Sequence, residues 1–334
     1  MRTRTLFRGG LAAAVVTLLM STVQSSEADE WYPGLPDASF GAWTNASQSG
    51  LSYAKWAKQW FRSPTGMTVA EVFYGNEPGE VGRNWVRGQG YFVSPKGAPA
   101  NYGYLEPMTV RSVGFGIMPV EATIQVSQRR ENGYPIPVDV LLRSELIRYP
   151  GSARLDRSYP ESVIRDSLNV RVLSVRIDGV DLGLNGDCRT VEPAPVVMRS
   201  PAYVIEDAYR YGSNDTYIRE WYLRQDPSTY YHPSRGGQFT GTMTIPPFTG
   251  CTTAAGDDLS ELLTLSASGP DNPISARSGW PCAVEVNGAQ SPMPPGASNP
   301  KLGTAAGGET RFEGQPTTGC AGTKPFEYPV RGER

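Results

Sequence analysis

From about residue 106 the chain alternates apolar and polar side chains with a period of two, a pattern that commits it to strands with one dry face and one wet face. Val120, Ala122, Ile124 and Val126 are interleaved with Glu121, Thr123, Gln125 and Ser127, and Ile136, Val138, Val140 and Leu142 repeat the pattern. Leu173, Val175 and Ile177 lead into Asp178-Gly179, after which Val180, Leu182 and Leu184 alternate again. Asp-Gly between two alternating runs predicts a tight hairpin, because both residues tolerate positive φ. Further strands are expected at 194–198, 238–246, 262–268 and 283–286, with another tight turn at Asn287-Gly288. The 29 Pro and 37 Gly imply many turns and few long helices. These features predict a mainly β fold, an antiparallel β-sandwich with a barrel as the alternative.

The β domain is expected to span 106–289, preceded by an aromatic-rich N-terminal segment, 29–105. One short helix is expected in that segment. Leu51 to Phe61 would place Tyr53, Trp56, Ala57 and Trp60 on one face, with Ser49 as a cap and Ser63-Pro64-Thr65-Gly66 as the stop. A tyrosine-rich insertion, 203–233, interrupts the β domain and holds a candidate short helix near 216–224. Residues 290–334, rich in Pro, Gly and Ala without periodicity, read as an irregular tail.

The N-terminus reads as a secretory signal. Arg2, Arg4 and Arg8 form a basic leader, Leu11 to Met20 is apolar, and Ser26-Glu27-Ala28 offers a cleavage point after Ala28. The apolar run is shorter than the roughly 20 residues of a membrane span. No later segment is apolar for long enough to be one, so no integral span is expected after cleavage. The expected location is extracellular or in the cell envelope. The chain has 31 basic and 33 acidic residues; without Arg2, Arg4, Arg8 and Glu27 the balance is 28 to 32, a net charge of −4. That mild acidity argues against a nucleic-acid partner.

All four cysteines lie in the second half: Cys188, Cys251, Cys282 and Cys320. In an exported chain an even number reads as disulfides. Three pairings are open; Cys188–Cys251 with Cys282–Cys320 would close two local units. No C-x-x-C spacing is present to suggest zinc or redox chemistry.

Three stretches, VRIDGVDLGLNGDCRT (Val175 to Thr190), GTMTIPPFTGC (Gly241 to Cys251) and SGPDN (Ser268 to Asn272), with GFGIMPV (Gly114 to Val120) upstream, resemble a group of exported β-rich proteins of actinobacteria that have no established activity. The resemblance covers roughly 110–290. It implies an envelope or extracellular setting and a paired Cys188 and Cys251, and it brings no catalytic residues.

Catalytic constellations are sparse. His232 is the one histidine, which excludes a multi-histidine metal site, and no G-x-S-x-G elbow accompanies it. Ser52-Tyr53-Ala54-Lys55 matches S-x-x-K on the expected helix, without the partner motifs that such enzymes carry. Glu206, Asp207, Asp226, Asp257 and Asp258 are candidate members of a glycosidase-like carboxylate pair, which spatial separation rather than sequence spacing would define. Asp257-Asp258 and Asp271-Asn272 could assist Ca²⁺, although no EF-hand loop is present and turn-forming acids are the simpler reading. Neither a cofactor nor a metal site is expected.

Aromatic residues are the candidate contact surface, because they stack on sugars and anchor protein interfaces. The candidates are Trp31, Trp43, Tyr211, Tyr217, Trp221, Tyr222, Tyr230 and Tyr231. Trp56 and Trp60, at helical spacing, are expected to pack inward. The leading expectation is a secreted or envelope protein, non-catalytic, that contacts a protein or glycan partner. The alternatives are a secreted carboxylate-dependent hydrolase and an extracellular lipid carrier, the last requiring a large apolar cavity between the sheets.

Overall fold

Alternating side chains leave a strand's backbone bonds to be met by its neighbours, and among the described residues every paired neighbour is antiparallel. In the computed structural model, the described residues are 40–77, 82–95, 97–100, 102–114, 118–206, 230–232, 236–281 and 326. The strands are β1 (Phe40–Ala54), β2 (Gln59–Asn76), β3 (Arg83–Val93), β4 (Met108–Gly114), β5 (Met118–Gln128), β6 (Arg130–Glu131), β7 (Tyr134–Pro135), β8 (Val138–Arg148) and β9 (Leu155–Tyr159). They continue as β10 (Ser162–Ile177), β11 (Val180–Asp181), β12 (Arg189–Thr190), β13 (Ala194–Ser200), β14 (Tyr203–Ile205), β15 (Tyr231–His232), β16 (Gly236–Ile245), β17 (Phe248–Thr249) and β18 (Gly269–Pro281). A single helix among the described residues, α1 (Ser260–Ala267), lies between the last two strands. The fold is mainly β and antiparallel, as the alternation predicts.

The sheet runs β14-β9-β8-β3-β2-β1-β18-β16-β13-β10, with β5 and then β4 added beyond β10. It curls until its two halves face one another around a shared core of Val126, Leu168, Val170, Val196, Phe239 and Met243, among others. At one end the curl is stitched shut. A short link, residues 102–105, bridges β3 through Val93↔Tyr102 and β5 through Tyr104↔Ser127. The Gly103 N–H donates to Phe92 O at 2.7 Å, the Gln128 N–H to Gly103 O at 2.7 Å, and the Leu105 N–H to Val126 O at 2.9 Å. Hydrogen bonds can therefore be followed from β1 through β2, β3, the link, β5, β10, β13, β16 and β18 back to β1. A ring of about eight strands encloses an interior just wide enough for packed side chains or one small ligand.

The Gln128 side chain reinforces the closure. It is 1% exposed. Its Oε1 accepts from the Phe92 N–H at 2.8 Å, while its Nε2 donates to Gly90 O at 3.0 Å and Ile136 O at 2.8 Å. An amide side chain thus takes the place of a backbone unit where β3 and β5 are too far apart to pair. Beside it, burial pushes the Tyr102 hydroxyl up to about 12.

Two expectations are overturned. Leu51 to Phe61 is not a helix but the end of β1, a turn at Lys55–Lys58 and the start of β2. Tyr53 pairs with Trp60 across the hairpin, their rings 4.8 Å apart. The second facing pair of a hairpin with a four-residue turn is seven apart in sequence, which is also about two helical turns, so the aromatic spacing fits both structures. Trp56 occupies the turn and is 67% exposed, its indole lying over Gly269. Conversely, 262–268 is α1 rather than a strand. Leu259, Leu263 and Ala267 face the core at a spacing of four, leaving Leu265 outside. The expected hairpin at Asp178-Gly179 is present, with φ of 49° and 81°. The expected features at 216–224, 283–286 and Asn287-Gly288 lie outside the described residues, as does the tail apart from Phe326.

Cys188 and Cys251 form a disulfide, both sulfurs buried, just before β12 and just after β17. Cys282 and Cys320 lie outside the described residues. The Cys251 N–H donates to Ser260 Oγ and the Leu259 N–H to Cys251 O, so the disulfide also anchors the start of α1.

Candidate functional site

The facing halves of the curled sheet differ in side-chain size. On the inner face of β1, β2 and β3 stand Ala46, Gly50, Gly66, Ala70, Gly88 and Gly90. Opposite them are Ile124, Val126, Ile164, Leu168, Val170 and Met198. Small residues against large ones, on a backbone whose spacing is set by hydrogen bonds, leave space. The result is a partly open cavity of about 300 Å³, lined almost wholly by apolar atoms. Ala267 of α1, Ile245 and Phe248 lie at the end tied by the disulfide.

Exposure along β1 reports the same space. Ala46, Gln48, Gly50 and Ser52 face the interior yet are only half-buried, whereas Ser47, Ser49 and Leu51 on the outer face are buried. In a filled sandwich the inner row would be the drier one. On the outer face Phe326 helps cover this stretch: Arg277 lies over its ring at 4.4 Å and Arg62 donates to its carbonyl at 3.4 Å.

The cavity wall carries few polar groups. Asp166 is buried and accepts from Arg129 Nη2 at 3.1 Å and from the Ser167 N–H at 2.6 Å. Gln48 and Thr68 sit on the small-residue wall, in diagonal register on β1 and β2, where Gln48 pairs with Gly66 and Ala46 with Thr68. Gln48 Nε2 and Thr68 Oγ1 are shielded from solvent, and neither has a hydrogen-bond partner. Sequence patterning did not single out either residue. The legible signal was Gly or Ala at alternate strand positions, which marks an inner wall without bulk.

The aromatic candidates divide. Trp31, Tyr211, Tyr217, Trp221 and Tyr222 lie outside the described residues, and Trp43 lies on β1. Tyr230 is buried against Tyr203, and Tyr231 packs at a tilt against Phe239 and lines the cavity. Trp60 is half-buried against Tyr53, and Trp85 is buried over Gly75. Trp56 and Trp60 therefore do not form the inward face of a helix.

The candidate chemistry disperses. Ser52 faces inward on β1 while Lys55 is exposed in the turn, so the S-x-x-K spacing does not stack the two as a helix would. His232 lies on β15, paired with Gly236. Glu206 pairs with Arg154 at 3.6 Å on the surface. Asp258 accepts from the Ser260 N–H at 2.9 Å; bonding from Ser260 holds its carboxyl below the usual carboxylate range. The Asp257 N–H donates to Thr253 Oγ1. Asp207 and Asp226 lie outside the described residues. Asn272, fully buried, spends its amide on the Lys55 N–H and on Gly269 O, pinning the β1–β2 turn to β18. Among the described residues no group of three or more His, Cys, Asp and Glu is placed to hold a metal ion, and no helix is long and apolar enough to cross a membrane.

No family model, curated protein or solved structure matches this chain.

Proposed function

We propose that this chain is an exported carrier of an apolar, chain-like small molecule, held inside the curled sheet. The observation that supports it is the partly open cavity of about 300 Å³, at the lower end of the size of small-molecule sites. Leaving such a space empty has a cost. Apolar walls without packed partners forgo the contacts that a filled interior makes, and the loss grows with the volume left unfilled. A ligand that fills it recovers much of that, and apolar cavities of half this volume are known to take up hydrocarbon from water. The signal-like N-terminus supports a setting outside the cytoplasm, where an apolar molecule needs cover from water.

Native mass spectrometry of the protein produced by export, followed by displacement of an environment-sensitive fluorescent fatty probe, tests the reading. Long-chain ligands are expected to bind with one-to-one stoichiometry. Ala70→Phe, which adds a ring into the open side of the cavity, is expected to weaken binding at least tenfold and raise the thermal midpoint of the ligand-free protein. A wild-type protein that takes up no apolar ligand, or an Ala70→Phe variant that binds as well as wild type, would sink the proposal.

A further inference from the structure

The geometry points to an amphiphile rather than a plain hydrocarbon: a single alkyl or acyl chain whose uncharged, hydrogen-bond-accepting head is held by Gln48 Nε2 and Thr68 Oγ1. This rests on the carrier reading and names the ligand class of that cavity. Buried polar atoms in folded proteins are nearly always partnered, and one left alone costs about 1–3 kcal/mol. Here two such atoms share one wall, covered by protein atoms in the unliganded cavity, so a side-chain rotation turns each toward the head on binding. Gln48 lies over Gly66, with Nε2 3.8 Å from where a Gly66 Cβ would stand, and Thr68 lies over Gly90, its Cγ2 3.2 Å from that glycine's missing Cβ. Neither Gly66 nor Gly90 has a side chain to answer them, and the register sets them diagonally on adjacent strands. The diagonal spacing is about 7 Å, within reach of one oxygen-bearing head.

Both groups can donate: the amide NH₂ has two N–H bonds and the threonine hydroxyl one. They match an alcohol or an ester carbonyl oxygen. A carboxylate fits worse. The charged residues on the lining are Asp166 and Arg277. Asp166 is already paired with Arg129, and the Arg277 guanidinium is engaged on the outer face with Phe326 and with Gln238 at 3.1 Å. An anion would be buried without a counter-charge, which is strongly unfavourable. The tail then runs toward Val170, Ile245 and Ala267, where the lining is mostly apolar.

The experiment compares dodecane, dodecanol, methyl laurate and laurate at neutral pH against the full exported protein and against Gln48→Leu and Thr68→Val. Wild type is expected to favour dodecanol and methyl laurate over dodecane by about tenfold, the worth of one to two neutral hydrogen bonds. Each substitution is expected to shrink that preference toward unity while dodecane binding holds. Replacing an unpartnered polar group by an apolar one of similar shape should also raise the ligand-free thermal midpoint, by about 2 °C for a domain of this size. Equal binding of dodecane and dodecanol to wild type overturns the head-group assignment while leaving the carrier intact. So does a preference that survives both substitutions, or a preference for laurate. Failure of all four ligands overturns the carrier reading and this inference with it. Should a variant not fold, the wild-type ranking of the four ligands still decides.

Discussion

Gln128→Ala is expected to lower the stability of the protein by about 3–5 kcal/mol, more than the loss of one side chain of that size explains. One buried and two partly buried backbone groups depend on it: the Phe92 N–H, and Gly90 O and Ile136 O. Each would be left without a partner at about 1–3 kcal/mol. Gln128→Met separates bonding from packing, since it keeps the volume and removes the amide. If hydrogen bonding at the closure is the cause, Met should be nearly as damaging as Ala. Urea unfolding gives the loss, and hydrogen exchange gives its place: protection should fall first at Phe92 and Gly103, whose N–H groups are part of the stitched end. A Met variant within about 0.5 kcal/mol of wild type would show that Gln128 is a packed side chain and not a clasp. The substitution also bears on binding. A ring that opens between β3 and β5 exposes the cavity beside Phe92 and Leu105, so release of an apolar ligand should speed up more than capture slows.

What the sequence made legible follows from how local each cause is. The strands β5, β8, β13 and β16 were readable because one buried face forces a period of two over enough residues to be seen. The Asp178-Gly179 hairpin was readable because its turn chemistry is confined to two residues. Tyr53 to Trp60 is ambiguous in the sequence because a hairpin and a helix share the seven-residue spacing, and only the pairing of β1 with β18 decides between them. In α1 the run Leu262, Leu263, Leu265 suggests alternation, yet Leu259 and Leu263 are the leucines that meet the core. The Asp258-to-Ser260 bond at the helix start was visible only as a cluster of acids. Gln128, Gln48 and Thr68 were illegible for a different reason. Each is one polar residue on a strand, and its importance depends on a wall contributed by residues dozens of positions away. The lack of bulk at positions 46, 50, 66, 70, 88 and 90 is legible afterwards, but without the register of β1 to β3 it reads as ordinary small-residue content.

Replacing both Cys188 and Cys251 by alanine is expected to cost about 4 kcal/mol, because the bond closes a loop with a sequence separation of 63. That loop contains β13 and β16, two of the eight strands of the ring, so the unfolded chain regains the freedom of about a quarter of the barrel wall. The native state changes locally as well. Cys251 O accepts from Leu259, and the Cys251 N–H donates to Ser260, so the bond holds the entry to α1, whose Ala267 caps the apolar end of the cavity. Two readouts separate the contributions. Urea unfolding measures the total loss. Hydrogen exchange in α1 measures the local one, and Leu263 and Ser268, bonded to Leu259 O and Thr264 O, should lose protection before β16 does. If the bond acted on the unfolded chain alone, stability would fall while α1 stayed as protected, relative to the rest of the protein, as in wild type. If it also seals the cavity, α1 should open on its own, and the double variant should lose affinity for a long-chain ligand even where the fold is intact. An unchanged affinity with a fully folded protein would separate the disulfide from the site and leave it a purely structural bond.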